Sequence, residues 1–156
     1  MRLRISAVGR LRSSPEADLV QDYQTRFDRT GRPLSLGPLE IFEVEDRKGG
    51  GQQAEGDLLA KSIPDGSFVA ALDERGTVLS SPQFAQKLES WRDAGHRDCT
   101  FVIGGADGLL PDLLAHADFK LSFGKMVWPH MLARVMLAEQ LYRAATILSG
   151  GPYHRA

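Results

Sequence analysis

The chain has 156 residues, of which 42% are hydrophobic and 25% charged, a composition that supports a buried core and excludes the apolar-poor, charge-rich pattern of disorder. Its 19 Lys and Arg face 20 Asp and Glu, a net charge of -1, so a polycation acting by bulk charge is excluded and a nucleic-acid partner would need a local basic patch. The lone Cys99 cannot make an internal disulfide, which points to a reducing, cytoplasmic setting, and no stretch approaches the roughly 18 apolar residues of a membrane span.

Leu3, Ile5, Ala7 and Val8 interleave with polar residues and stop at Gly9, which predicts a first strand. Ser14 followed by Pro15 is a cap and a first-turn proline, and Leu19, Val20, Tyr23 and Phe27 recur at helical spacing, so a helix should run to about Arg29. Breakers at Gly31, Pro33, Gly37 and Pro38 precede a second strand over 39–44. Asp46 to Gly51 reads as a polar, glycine-rich loop, followed by a helix with Ala54, Leu58, Leu59 and Ile63 on one face.

Ser67 to Leu72 is a nearly continuous apolar run, the signature of a strand covered on both faces, and Asp73-Glu-Arg-Gly76 should end it. Ser81 and Pro82 predict a helix by cap-then-proline logic, with Phe84, Leu88 and Trp91 inward. Cys99 to Ile103 is the next buried strand, followed by Gly104-Gly-Ala-Asp-Gly108, a short helix from Pro111 to about Ala117 and a strand over 119–123. Gly124 to Trp128 is a loop. Pro129 opens a long helix whose stripe of Met131, Val135, Ala138, Tyr142 and Ala145 is widened by Leu132, Met136 and Leu141. Gly150, Gly151 and Pro152 end that helix in a loop.

Alternating strands and helices predict one α/β domain over residues 1–156, a mostly parallel sheet flanked by helices. In such sheets ligands gather at the C-terminal strand ends, here the loops after Leu72, Ile103 and Phe123. Gly104, Gly105 and Gly108 form either a ligand cradle or a tight turn needing positive φ; their spacing matches neither the dinucleotide fingerprint nor a phosphate loop. His130 and Arg134 share a helix face and serve an anion site, a partner surface or plain solvation. His96, His116, His130 and His154 with one cysteine show no metal-ligand spacing. Asp73 and Glu74 read as acid-base carboxylates or as turn residues. The tail packs Tyr153, His154 and Arg155 together, a triplet suited to phosphate and a planar base, or one that only docks its tyrosine into the core.

Phe101 to Leu109, Leu121 to His130, Arg134 to Ala144 and the terminal Pro152 to Arg155 occur in this order along nearly the whole chain. Together they resemble the signature of the RlmH-type methyltransferases of the SPOUT class, which methylate N3 of a pseudouridine in a hairpin loop of bacterial 23S ribosomal RNA. The resemblance implies a C-terminal trefoil knot, against the ordinary prior that chains are unknotted, and a homodimer with active sites near the interface. It implies S-adenosylmethionine as methyl donor, held by Leu72, Gly104 and the segment Phe123, Gly124, Lys125, Met126, Val127 and Trp128, with no metal. Tyr153, His154, Arg155 and Arg143 are the implied catalytic group, with Arg134 as a further anion contact, and the acceptor is rRNA within the ribosome rather than a membrane component. Two competing readings are a non-enzymatic ribosome-binding module of the same fold and a nucleotide-binding α/β enzyme suggested by the glycine turn alone.

Overall fold

A computed structural model describes residues 1–155. The elements in chain order are β1 (Arg2–Val8), α1 (Pro15–Gly31), a 3-10 turn (Arg32–Leu34), β2 (Leu39–Val44), α2 (Gly51–Ser62), β3 (Phe68–Val78), α3 (Ser81–Asp93), β4 (Asp98–Ile103), α4 (Pro111–His116), β5 (Phe119–Ser122) and α5 (His130–Ser149). The five strands form one sheet in the order β2-β1-β4-β3-β5 and every neighbouring pair is parallel. Each connection is therefore a crossover, and helices cover both faces, as the continuous apolar strands require.

Alternation along β1 sorts the core into two layers. Leu3, Ile5 and Ala7 point to one side, where they join Phe27, Leu88, Phe101, Leu137 and Leu141 from α1, α3, β4 and α5. Val8 points to the other, with Leu59 of α2, Ala71, Val102 and Leu109. The central strand β4 feeds both layers: Phe101 packs edge-on with Phe84 and Val102 faces α2.

Local chemistry explains where the helices begin. Ser14 is extended and its hydroxyl accepts the Ala17 N–H at 3.1 Å, Pro15 occupies the first turn, and Glu16 and Asp18 complement the helix dipole. For α3 the cap is Ser80, not Ser81: Ser80 and Gln83 close a reciprocal capping box, and the Ser81 hydroxyl instead meets the Gln140 side chain at 2.8 Å. Helix α5 ends on Gly150 at φ +76, with the Gly151 N–H returning to the Thr146 carbonyl.

Two expectations need correction. Strand β3 does not stop at Asp73; it continues to Val78 through a bulge in which Leu72 and Thr77 both register with Leu121. Gly76 permits this, because a Cβ there would lie 2.6 Å from the Lys120 carbonyl oxygen of β5. In α5 the deepest seam is Arg134, Leu137, Ala138, Leu141, Ala144 and Ala145, whereas Met131, Val135, Met136 and Tyr142 are half-buried and Leu132 is exposed. The helix packs against both α1 and α3, so its buried arc is wider than one stripe and is centred on a different side.

Candidate active site

The order β4-β3-β5 brings the ends of β4 and β5 beside the bulge of β3. Ala71 pairs with Val102 and Leu72 with Leu121, so Leu72, Gly104 and Phe123 emerge at one rim of the sheet, with neighbouring strands about 4.8 Å apart. Leu72 is half-buried and Gly104 buried. At Gly104 close packing and not positive φ accounts for the glycine, since a Cβ would sit 2.6 Å from the Gly108 backbone; of the three glycines Gly108 alone takes positive φ, at +76. The turn is closed by a Gly105–Gly108 bridge and held from outside by the Gln52 amide, which donates to the Asp107 carbonyl at 2.8 Å.

The segment 123–128 has a rigid root and an exposed tip. Ser122 is buried, and its hydroxyl accepts the Gly124 N–H at 3.0 Å while lying 2.9 Å from the Glu74 carbonyl oxygen. This ties the loop root to the β3 extension. Gly124 takes φ +105, a conformation that favours glycine. Beyond it Lys125, Met126, Val127 and Trp128 are exposed, Met126 by 73% and Val127 by 82%. Trp128 is folded back so that its indole N–H reaches the Phe123 carbonyl at 3.4 Å, which presents a flat apolar surface beside the end of β5.

The base of α5 carries the clearest correction. Arg134 is no solvent-facing anion contact: it is fully buried, donating to Glu43 Oε2 at 2.7 Å and to the carbonyls of Val8 and Gly9 at 3.0 Å each. Burial pushes its pKa below the ordinary guanidinium value, and the Glu43 carboxylate opposes that shift. His130 shares this side of the helix, its Nε2 facing Gly9.

One turn and a half further on, Glu139 gathers the tail. Its Oε1 accepts Arg143 Nε at 3.0 Å, a second Arg143 nitrogen at 2.7 Å and the Tyr153 hydroxyl at 3.0 Å. Arg143 stacks over the Tyr153 ring at 4.8 Å and reaches His154 Nδ1 at 3.2 Å. A guanidinium has only donors, so Nδ1 accepts and the neutral imidazole carries its proton on Nε2. Burial, reinforced by the hydrogen bond and charge of Glu139, raises the Tyr153 pKa well above the usual phenol value, and the hydroxyl is therefore a neutral donor at neutral pH. Arg155 is exposed.

Glu139 also lines a cavity of about 410 Å³, together with Tyr23, Phe84, Phe123, Gly124 and Met136. The anticipated site thus divides. Leu72, Gly104 and the tip 125–128 form the rim, Tyr153, His154 and Arg143 form the tail cluster, and this cavity adjoins both. Glu139, Ser122 and Gln52 went unread in the sequence. The spacing of Glu139 and Arg143, four residues apart on a helix, was the one available signal for the first.

Residues 1–154 match a family described as "Predicted SPOUT methyltransferase". A protein named Ribosomal RNA large subunit methyltransferase H from Cereibacter sphaeroides (strain ATCC 17025) is 66% identical over 155 residues, covering 99% of both chains. The protein of that name from Ruegeria sp. (strain TM1040) is 63% identical over the same span. The chain belongs to the SPOUT methyltransferase family.

Its fold is similar to that of a probable methylase family protein from Haemophilus influenzae, with a TM-score of 0.53 at 15% identity, over 99% of this chain and 70% of the other. SPOUT methyltransferases use S-adenosylmethionine, and the rim fits that molecule: it combines exposed apolar side chains for a flat ring, a glycine turn rooted on the buried Gly104 and open space above Gly124. Among the described residues, no group of three or more His, Cys, Asp and Glu is placed to hold a metal ion, and no helix is long and apolar enough to cross a membrane.

Proposed function

We propose that this chain, acting as one methyltransferase domain in a cytoplasmic homodimer, transfers a methyl group from S-adenosylmethionine to N3 of a pseudouridine in a hairpin loop of 23S rRNA on assembled ribosomes. The observation that carries the reading is the cavity lined by Phe123 and Gly124 from the root of the apolar loop and by Glu139, which organises the tail cluster. The names of the relatives support the ribosomal substrate. The family's trefoil-knotted C-terminal path belongs to the same proposal. An exposed apolar set on α1, the β3 extension, the rim and α5, comprising Leu19, Val78, Met126, Val127 and Leu132, supports the second subunit.

The donor supplies an electrophilic methyl on a sulfonium sulfur. Leu72, Gly104 and residues 123–128 would hold it, leaving the chain to orient the acceptor and exclude water. The imide N3 of pseudouridine becomes nucleophilic when its proton passes to solvent or to a base, so charge develops on its flanking carbonyl oxygens. The tail is built for that charge. With Nδ1 engaged by Arg143, His154 offers an N–H at Nε2, and Arg155 adds a free cation. For His154 to take the proton itself, Arg143 must first release it.

Calorimetry tests the first step: S-adenosylmethionine should bind the native chain and bind at least tenfold more weakly to Trp128→Ala. Equal binding by the native chain and Trp128→Ala contradicts the assignment of the rim.

A further inference from the structure

Beyond the site, the same rim of the sheet carries a second feature. Past β1 the chain places Arg10 and Arg12 on either side of the buried Leu11, and past β2 it places Arg47 and Lys48, both exposed. Because all strands are parallel, these loops rise on the same edge as Leu72 and Gly104. The strand order puts the Arg10–Arg12 loop beside β4 and the Arg47–Lys48 turn one strand further out, roughly 10–15 Å from the end of β3.

The charge balance is local and positive. Arg10, Arg12 and Arg47 converge on Glu45 at 3.0, 3.6 and 3.9 Å, so only Arg10 makes a hydrogen-bonded pair with it. The neighbouring Asp46 is occupied by its own turn, accepting the backbone N–H groups of Lys48 and Gly50. Four cations therefore face two carboxylates in a chain whose net charge is -1. One carboxylate holding three guanidiniums in an array leaves most of their donors free.

The array is fixed from below. The Leu11 N–H donates to Glu43 Oε2 at 2.8 Å, the same oxygen that Arg134 holds, and the Gly9 N–H pairs with the Val44 carbonyl. Arg12 itself sits at φ +53, a backbone conformation that non-glycine residues seldom adopt. Arg134 thus ties the presenting loop to α5, whose first turn follows the segment 123–128.

We infer that Arg10, Arg12, Arg47 and Lys48 form a phosphate clamp that seats the RNA backbone flanking the target nucleotide. The planar forks of three arginines match phosphate oxygens, and such contacts position a substrate without reading its sequence. This inference rests on the ribosomal RNA methyltransferase reading above.

The test compares native protein, the triple variant Arg10→Ala/Arg12→Ala/Arg47→Ala, its charge-keeping Lys counterpart and Glu45→Gln. Methyl transfer to ribosomes, binding to protein-free 23S rRNA across a salt series, and calorimetry with S-adenosylmethionine are measured on each. The triple alanine variant should show a KM for ribosomes raised about tenfold or more with kcat within about twofold, and a log-log salt slope shallower by about 2, roughly 0.7 per lost contact. Donor affinity stays unchanged, the Lys variant recovers most of the salt slope, and Glu45→Gln binds RNA more tightly. Unchanged KM and slope with intact transfer by the native protein overturn the clamp and leave the enzymatic reading standing. A defect seen on ribosomes but absent on protein-free rRNA assigns the patch to a ribosomal protein and likewise overturns it. Absence of transfer by the native protein overturns the enzymatic reading itself, and the clamp with it.

Discussion

Arg134 and Glu43 lie 91 residues apart in sequence and 2.7 Å apart in space, one guanidinium fully buried and the other group only partly so. The pair joins α5 to the ends of β1 and β2, because Arg134 also caps the carbonyls of Val8 and Gly9. Removing one member of a buried pair strands the other charge and the two carbonyls, a loss of about 3–5 kcal/mol. Arg134→Met should therefore lower the melting temperature by roughly 10 °C, at about 2–4 °C per kcal/mol for a chain of this size. Glu43→Gln, which keeps an acceptor for both Arg134 and Leu11, should cost clearly less. Calorimetric melting of the two variants checks the order.

The tail depends on a single carboxylate. Replacing Glu139 by Gln keeps the shape but removes the charge that Arg143 and Tyr153 share, weakening charge-assisted hydrogen bonds worth about 1.5–3 kcal/mol each when desolvated and less here, where Arg143 and Glu139 keep some contact with water. Residues 153–155 should exchange amide hydrogens faster in Glu139→Gln, and turnover on ribosomes should fall at least tenfold with donor affinity preserved. Unaltered exchange in the tail would show that Glu139 does not organise it.

Tyr153 sets a pH dependence with a definite sign. Its folded pKa lies above the unfolded phenol value of about 10, so its contribution to stability is complete below that value and declines as the pH rises through the folded pKa. Neutral and mildly alkaline solutions should leave tail docking intact, and loosening should begin only above about pH 10. Spectrophotometric titration checks this: Tyr153→Phe should remove a late-ionising tyrosine and abolish the alkaline loosening.

Much of this architecture is legible in the residues, and the failures have physical causes. Caps and breakers are local, so Ser14-Pro15 marks the start of α1, and Leu39 to Val44 coincides with β2. The run from Ser67 to Leu72 betrays a strand covered on both faces, but the extension to Val78 is polar, exposed and stabilised by β5, a partner more than 40 residues away that no local pattern reveals. Helical periodicity finds an apolar arc on α5 without knowing that α1 and α3 both press on it. Arg134 misleads for the same reason, since its burial follows from Glu43 and two carbonyls on other elements. The turns after Ile103 and Ser122 follow from parallel topology, whereas the loop expected after Leu72 is a bulge within a longer β3. The convergence of Glu139, Arg143, Tyr153 and His154 needed coordinates.

His154 separates two roles for the tail. If its imidazole takes the imide proton, His154→Ala should lose about 10²–10⁴-fold in turnover, and raising the pH should restore part of it by ionising the acceptor. If it acts by donating from Nε2, His154→Asn should retain far more activity than His154→Ala. The geometry at Arg143 favours the second outcome. Single-turnover methyl transfer with saturating donor measures both.

The central claim is that the rim and tail together deliver a methyl group to one nucleotide of the large-subunit RNA. Mass mapping of 23S rRNA from cells lacking the chain, before and after purified protein and S-adenosylmethionine are added to their ribosomes, tests it directly. The account predicts one pseudouridine lacking a methyl group, restored by the native protein and not by Trp128→Ala. Identical maps with and without the chain would contradict it.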